Sequence, residues 1–165
     1  MNFITINKRA NFDYEIKEKY EAGLVLLGHE VKSVKTGHIN LKGSYVTVKQ
    51  NDKKKLPELY LISAHISLYK HAGMIKDYNP TRPRKLLLKK KEIQHLIGKK
   101  QEQGLTLVPL KIYTKHGFIK LEFGIGKGKK KVDKREAIKK KGKQPSQLII
   151  INLQFTINFL LIENC

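Results

Sequence analysis

Six histidines and one cysteine are the side chains most readily put to chemical use, and their spacing gives them no shared task. His29, His38, His65, His71, His95 and His116 include no two residues three or four apart, so no helical metal pair arises. There is no second cysteine to complete a zinc site. His65 falls in a predicted strand and reads as an ordinary core or surface histidine. Cys165 is the last residue, with no evident base to make it a nucleophile. The run Gly124-Ile-Gly-Lys-Gly-Lys-Lys-Lys131 superficially resembles a phosphate loop. It lacks the Walker spacing and the Ser or Thr that follows the lysine. Its glycines read as a bend at a strand end, beside lysines that suit phosphate contact. No paired acid and base is visible, so neither an enzyme nor a cofactor is expected.

What remains is charge. The chain of 165 residues carries 34 Lys and Arg against 14 Asp and Glu, a net charge of +20. Residues 1–30 sum to −1, so the excess lies downstream. Eight basic residues stand against Glu92 alone between Arg82 and Lys100. Ten stand against Asp133 and Glu136 between Lys127 and Lys143. Two clusters this dense point to a polyanion, because each cation that neutralises a phosphate releases a counterion. The smaller run Lys53–Lys55 reads as a solvated loop. A single cysteine and the lack of an apolar leader point to a reducing, cytoplasmic setting. With 40% hydrophobic residues, there is material for a core.

The elements that must carry these charges are mostly strands. Tyr20, Ala22, Leu24 and Leu26 alternate as in a half-buried strand. Glu30 to Lys35 reads as a short helical turn ended by Gly37. Tyr45–Val48 and Leu59–Ile62 read as a hairpin across a polar loop. The tract Asn79-Pro-Thr-Arg-Pro-Arg84 reads as irregular. Leu86, Ile93, Leu96 and Ile97 predict one face of a helix from about Leu86 to Lys100. Leu105–Tyr113 is apolar on both faces. Ile119, Leu121, Phe123 and Ile125 alternate cleanly beyond a turn at Lys115-His116-Gly117. Several short strands without a βαβ rhythm suggest a mainly β, α+β fold: a small antiparallel barrel with one long and one or two short helices.

Four stretches together carry a resemblance. The first is Asn7-Lys-Arg9 with Asp13-Tyr14 and Tyr20-Glu-Ala-Gly23. The second is Gly28-His-Glu-Val-Lys-Ser33 with Gly37 and Asn40. The third is Asp77-Tyr-Asn-Pro-Thr-Arg-Pro-Arg-Lys-Leu-Leu-Leu88, continuing through Ile97-Gly98 to Gly104–Leu110. The fourth is Gly126-Lys-Gly-Lys-Lys130 with Asp133-Lys-Arg-Glu136. In this order and spacing they resemble the SsrA-binding protein family, the small protein B of bacterial trans-translation, from about Asn7 to Lys141. The resemblance implies an oligonucleotide-binding-type barrel over residues 1–126 and a basic tail over 127–143. It implies binding to the tRNA-like domain of transfer-messenger RNA and delivery of that RNA to stalled ribosomes. Alanyl-tRNA synthetase and the GTP-bound elongation factor would be met indirectly, through the RNA.

The resemblance also implies roles. Asn7, Lys8, Arg9, Glu21, Glu30, Lys32 and Asn40 match positions near the family's RNA-contacting face, and Arg84 and Lys85 join them. A carboxylate repels phosphate, so Glu21 on RNA would accept hydrogen bonds from base or 2′-hydroxyl donors. Its other role is an ion pair with Lys8 or Arg9. Lys127, Lys129 and Lys130 read as phosphate contacts or as solvated lysines. Leu86, Leu87 and Leu88 read as core rather than contact. Burial in the barrel is expected of Tyr14 and Tyr20 ahead of base stacking. Asp133, Lys134, Arg135, Lys139 and Lys140 match the family's tail, which meets the decoding region and folds in the ribosome's empty messenger channel.

Beyond Lys143 the chain leaves that pattern. Gln144 to Ile162 holds no charge, and eleven of the fifteen residues from Leu148 to Ile162 are Leu, Ile or Phe. Pro145 would end a helix continuing from Lys139. We expect residues 144–165 to be translated out of frame after a slip in the Lys139–Lys141 codons; resequencing that shows one unbroken frame would refute this. Two other functions fit part of the chain. A general structured-RNA or ribosome-associated barrel would show no preference for transfer-messenger RNA. A peripheral membrane protein would bind liposomes through residues 144–165. The expectation adopted is an RNA-binding monomer without a membrane partner.

Overall fold

The computed structural model describes residues 2–50, 57–73, 75, 77–100 and 104–130. The chain divides into two compact units, Met1–Lys129 and Lys130–Cys165, and Lys130 is the one described residue of the second. The sequence-predicted tail residues Asp133, Lys134, Arg135, Lys139 and Lys140, with the apolar stretch after them, lie outside the described residues.

Among its described residues unit 1 holds nine strands and three helices. They run β1 (Asn2–Ile6), α1 (Ala10–Asp13), β2 (Tyr14–Leu24), α2 (Gly28–Lys35), β3 (Ile39–Asn40), β4 (Tyr45–Lys49), β5 (Glu58–Ile62), β6 (His65–Ile66), β7 (Arg84–Leu87), α3 (Lys90–Lys100), β8 (Leu105–Lys115) and β9 (Phe118–Gly128). Seven strands form one antiparallel sheet in the order β1-β8-β4-β5-β7-β2-β9, and β9 pairs back onto β8. The sheet therefore closes into a ring of six strands with β1 attached outside it, and β3 and β6 pair separately. This is the mainly β fold with helices that the strand pattern predicts.

The β8–β9 hairpin is the longest pairing, and its sequence explains it. Lys115 faces Phe118 across a two-residue turn in which His116 (φ 49°) and Gly117 (φ 79°) both take left-handed angles. Two positive φ values match the right-handed twist of the flanking strands. Ile119, Leu121, Phe123 and Ile125 then enter the core at period two, beside Leu107 and Ile112 of β8. Register slips between Pro109 and Lys111 send Val108 and Leu110 to a second cluster with Ala10, Tyr14 and Ile16 under α1. Tyr20 stacks on Phe123 with centroids 5.8 Å apart, so both tyrosines at issue pack as side chains of the body.

Two predicted elements are corrected. Arg84–Leu87 is strand β7, between β5 and β2, and the helix starts only at Lys90. Leu86 pairs with Leu59 and Leu24 and is buried, whereas the helix packs through Ile93 and Leu96. On its outer side α3 is pinned to β2 by Glu18. Hydrogen bonds from Lys99 and then Tyr20 lower the pKa of its carboxyl from an ordinary 4.5 to about 2.

The second correction concerns Gly124 and Gly126. They are neither a bend nor phosphate-facing: both are buried inside β9 under β2. A Cβ on Gly124 would lie 2.6 Å from Ile16 Cγ2 and 2.9 Å from the Glu18 carbonyl; one on Gly126 would lie 2.9 Å from Ile16 Cδ1. Gly124→Ala must push β2 off β9, and we expect it to cost about 1–3 kcal/mol, read by urea denaturation. A loss below a few tenths of a kcal/mol would show the strands moving apart freely.

Candidate nucleic-acid interface

Alternation along β2 puts Ala22 in the core and therefore turns Glu21 outward. Register with β9 and β8 gathers its neighbours. The Tyr113 hydroxyl donates to Glu21 Oε2, Lys115 Nζ lies 3.2 Å from Oε2, and Lys120 Nζ lies 3.6 Å from Oε1. The hydrogen bond from Tyr113 holds the carboxyl below its usual value, over the opposing pull of burial, and Lys115 adds to it. Burial, followed by the Glu21 carboxylate, drives the Tyr113 hydroxyl upward. The sequence offered Lys8 or Arg9 as ion-pair partners for Glu21; the partners are Lys115 and Lys120, which the closing hairpin brings in.

Beside this cluster lies an apolar groove of about 420 Å³, lined by Gly23, Val25, Leu26, Leu87, Phe118 and Lys120 among others. Leu87 is 56% exposed and Phe118 71% exposed. Leu86 and Leu88 do pack into the body, but alternation in β7 turns Leu87 the other way. The face thus combines an acceptor, two cations and apolar surface.

A second group of predicted residues meets at the far end of β9. Lys127 and Gly128 pair with Glu15 and Tyr14, just after α1, and the Lys129 amide donates to the Asp13 carbonyl at 2.9 Å. Lys129 Nζ caps the carbonyl of Asn11 at 2.8 Å. Asn7 is structural: its Nδ2 donates to the Pro109 carbonyl at 2.9 Å and ties the β1–α1 turn to β8. That tie presents Lys8 and Arg9, both exposed, and Arg9 lines a groove of about 410 Å³ together with Asp13, Lys42 and Tyr45. Asn40 Oδ1 accepts the Lys42 amide at 2.8 Å and so shapes the loop that carries Lys42. Lys130 is exposed.

Glu30 and Arg84 take another role than the expected RNA contact, because both side chains are 0% exposed. Arg84 Nε and Nη2 donate to Glu30 Oε1 at 3.0 and 2.8 Å, and Arg82 grips the same carboxylate. The remaining Arg84 donors reach the carbonyls of Ala64, Arg82 and Pro80. Glu30 also accepts the Leu27 amide at 2.9 Å, capping α2 from its third residue. Burial pushes this carboxyl up, and the bonds from Arg82, Leu27 and Arg84 outweigh it and hold it below its ordinary value. The irregular Asn79–Pro83 tract is thereby fastened to α2, and β7 emerges from it in register. Lys85 is engaged by Glu58 at 2.6 Å, and Lys32 stands 5.8 Å over the Tyr69 ring. Among the described residues no group of three or more His, Cys, Asp or Glu is placed to hold a metal ion. No described helix is long and apolar enough to cross a membrane.

The sequence reading missed Lys42, Leu87, Lys115 and Lys120 as surface partners. Period-two alternation around Leu121 marks Lys120 as outward, but only the strand register shows that it lands beside Glu21. The model of the SmpB protein family matches residues 4–149. The chain belongs to the SmpB family. The SsrA-binding protein of Anoxybacillus flavithermus is 52% identical over 141 residues, which cover 86% of this chain and 87% of that protein. The SsrA-binding protein of a Nostoc species is 48% identical, with 86% and 87% covered. A solved structure described as "tmRNA-SmpB: a journey to the center of the bacterial ribosome" matches with a TM-score of 0.61 at 43% identity. It covers 81% of this chain and 93% of that one. Both exposed faces lie within the part of the chain that the SmpB model matches.

Proposed function

We propose that this chain binds tmRNA, through its tRNA-like domain, and delivers it to stalled ribosomes in trans-translation, as a cytoplasmic RNA-binding factor without catalytic activity of its own. The observation that carries the assignment is the SmpB match over residues 4–149, together with a body whose two exposed faces suit two kinds of RNA contact. On the β2–β9 face, Glu21 accepts from donors while Lys115, Lys120 and the Leu87–Phe118 groove supply charge and apolar surface. Such a mixture reads shape, base edges and 2′-hydroxyls. Lys8, Arg9, Lys42 and Lys127 are exposed cations, with Arg9 and Lys42 lining one groove beside Asp13, and such a set suits the phosphates of ribosomal RNA. On this reading alanyl-tRNA synthetase and the GTP-bound elongation factor act on the RNA and need no site on this body.

Leu87→Ala and Glu21→Gln test the division of labour. Both should lower the preference for the tRNA-like domain over ordinary tRNA by about ten-fold, as one good polar or apolar contact of 1–3 kcal/mol would. Both should leave the salt dependence of binding unchanged. An unchanged preference in both variants would move the recognition surface elsewhere.

A further inference from the structure

A third surface belongs to neither face. At the C-terminal end of α2 a groove of about 430 Å³ is lined by Thr36, His38, Ser67, Leu68, Tyr69, Lys70 and His71. That volume falls within the ~300–1,000 Å³ of small-ligand clefts. Its lining shares no residue with the Glu21 face or with the Lys42 groove. We propose that it takes an unpaired nucleotide of a single-stranded RNA segment, as a separate RNA site on this chain.

Three observations argue for that occupant. The first is charge: no acidic side chain lines the groove, Lys70 stands in it, and Lys32 lies 5.8 Å over the Tyr69 ring. The nearest carboxylate of α2, Glu30, is buried and held by two arginines. The second is stacking surface. Tyr69 and His71 form an edge-to-face pair with centroids 5.4 Å apart, Tyr69 half-buried and His71 exposed. Planar rings flanked by lysines are how proteins hold unpaired bases and their phosphates. The third is preorganisation. Gly37, at φ 83°, closes α2, with the Gly37 and His38 amides donating to the carbonyls of Val34 and Ser33. Ser33 Oγ then donates to the Ser67 carbonyl at 2.5 Å, and the Ser67 amide to the His38 carbonyl at 3.2 Å. His38 Nδ1 is engaged by Thr36 Oγ1 at 2.9 Å. Nε2 makes no hydrogen bond among the described residues, so it can meet a base edge or a 2′-hydroxyl.

The test uses the full chain and a single-stranded hexauridylate carrying one 4-thiouridine. Photo-crosslinking should place the label on the peptide containing residues 67–73. In fluorescence anisotropy Tyr69→Ala should weaken hexamer binding about ten-fold, as the loss of one stacked base does. Tyr69→Phe should stay within two-fold, and Lys70→Gln should flatten the salt slope by about 0.7. All three variants should bind the tRNA-like domain of tmRNA as the parent does, so the outcome is independent of that recognition. A label found only elsewhere, or equal hexamer affinity for Tyr69→Ala, would overturn the proposal. So would a groove that prefers an oligoglutamate peptide to the hexamer, which would make its occupant a protein segment.

Discussion

Replacing Glu30 with alanine should lower the stability of the body by about 3–5 kcal/mol, the penalty for stripping a buried charge of its partner. Arg84 is fully buried and sends two donors to Glu30, so its charge would face only the carbonyls of Ala64, Arg82 and Pro80. Arg84→Ala should cost a similar amount. Arg82→Ala should cost less, because its side chain is partly solvated and Arg84 still balances the carboxylate. The Glu30→Ala, Arg84→Ala double variant should lose far less than the two single losses added, since neither charge is left behind. Urea denaturation of Glu30→Ala, Arg84→Ala and their double variant measures the coupling, and strict additivity would contradict the network. The pH dependence has a defined sign. The folded state holds the Glu30 carboxyl below its ordinary 4.5. Its contribution is therefore complete above that value and is lost as pH falls through the folded-state pKa. The functional consequence follows from the chain path. β7 begins at Arg84, and Leu87 lies three residues on, so recognition at the Leu87 groove should fail as the network fails.

The second large effect is electrostatic. Converting Lys8, Arg9, Lys42 and Lys127 to glutamine removes four exposed cations. If each neutralises one phosphate, the slope of log K against log salt should become shallower by about 3.6, at about 0.9 per contact. With the two lines meeting near 1 M salt, affinity for the small ribosomal subunit should fall about 10³-fold at about 0.15 M. Preference for the tRNA-like domain over ordinary tRNA should survive, because the Glu21 face is untouched. A titration of subunit binding against salt reads both quantities. An unchanged slope would show that these cations face solvent in the complex.

The residues explain what the sequence could and could not reveal. Alternation from Ile119 to Ile125 and the Lys115-His116-Gly117 turn specify the β8–β9 hairpin locally, so it was legible. The Leu86–Ile97 pattern misled because an apolar residue at helical spacing looks the same whether it continues a helix or ends a strand. Leu86 is fixed by pairing with Leu59 and Leu24, positions remote in sequence. Glu30 was legible as a functional position but not as a buried one. Its partners lie 52 and 54 residues away, and nothing local marks two arginines as converging on it. Gly124 and Gly126 look like a flexible loop beside lysines; only the approach of Ile16 across the sheet shows why a Cβ is excluded. Glu21 was singled out by resemblance, yet its true neighbours Lys115 and Lys120 required the ring to close.

The most direct test of the assignment is a competition gel shift. The labelled tRNA-like domain of tmRNA meets the full chain at near-physiological salt, with ordinary tRNA in large excess. Salt weakens the phosphate contribution common to both RNAs, so what survives reports the recognition surface. A complex that persists under tRNA excess, and weakens on Leu87→Ala, is the predicted result. A complex that ordinary tRNA displaces in proportion to its concentration would contradict it and make the body a general binder of structured RNA.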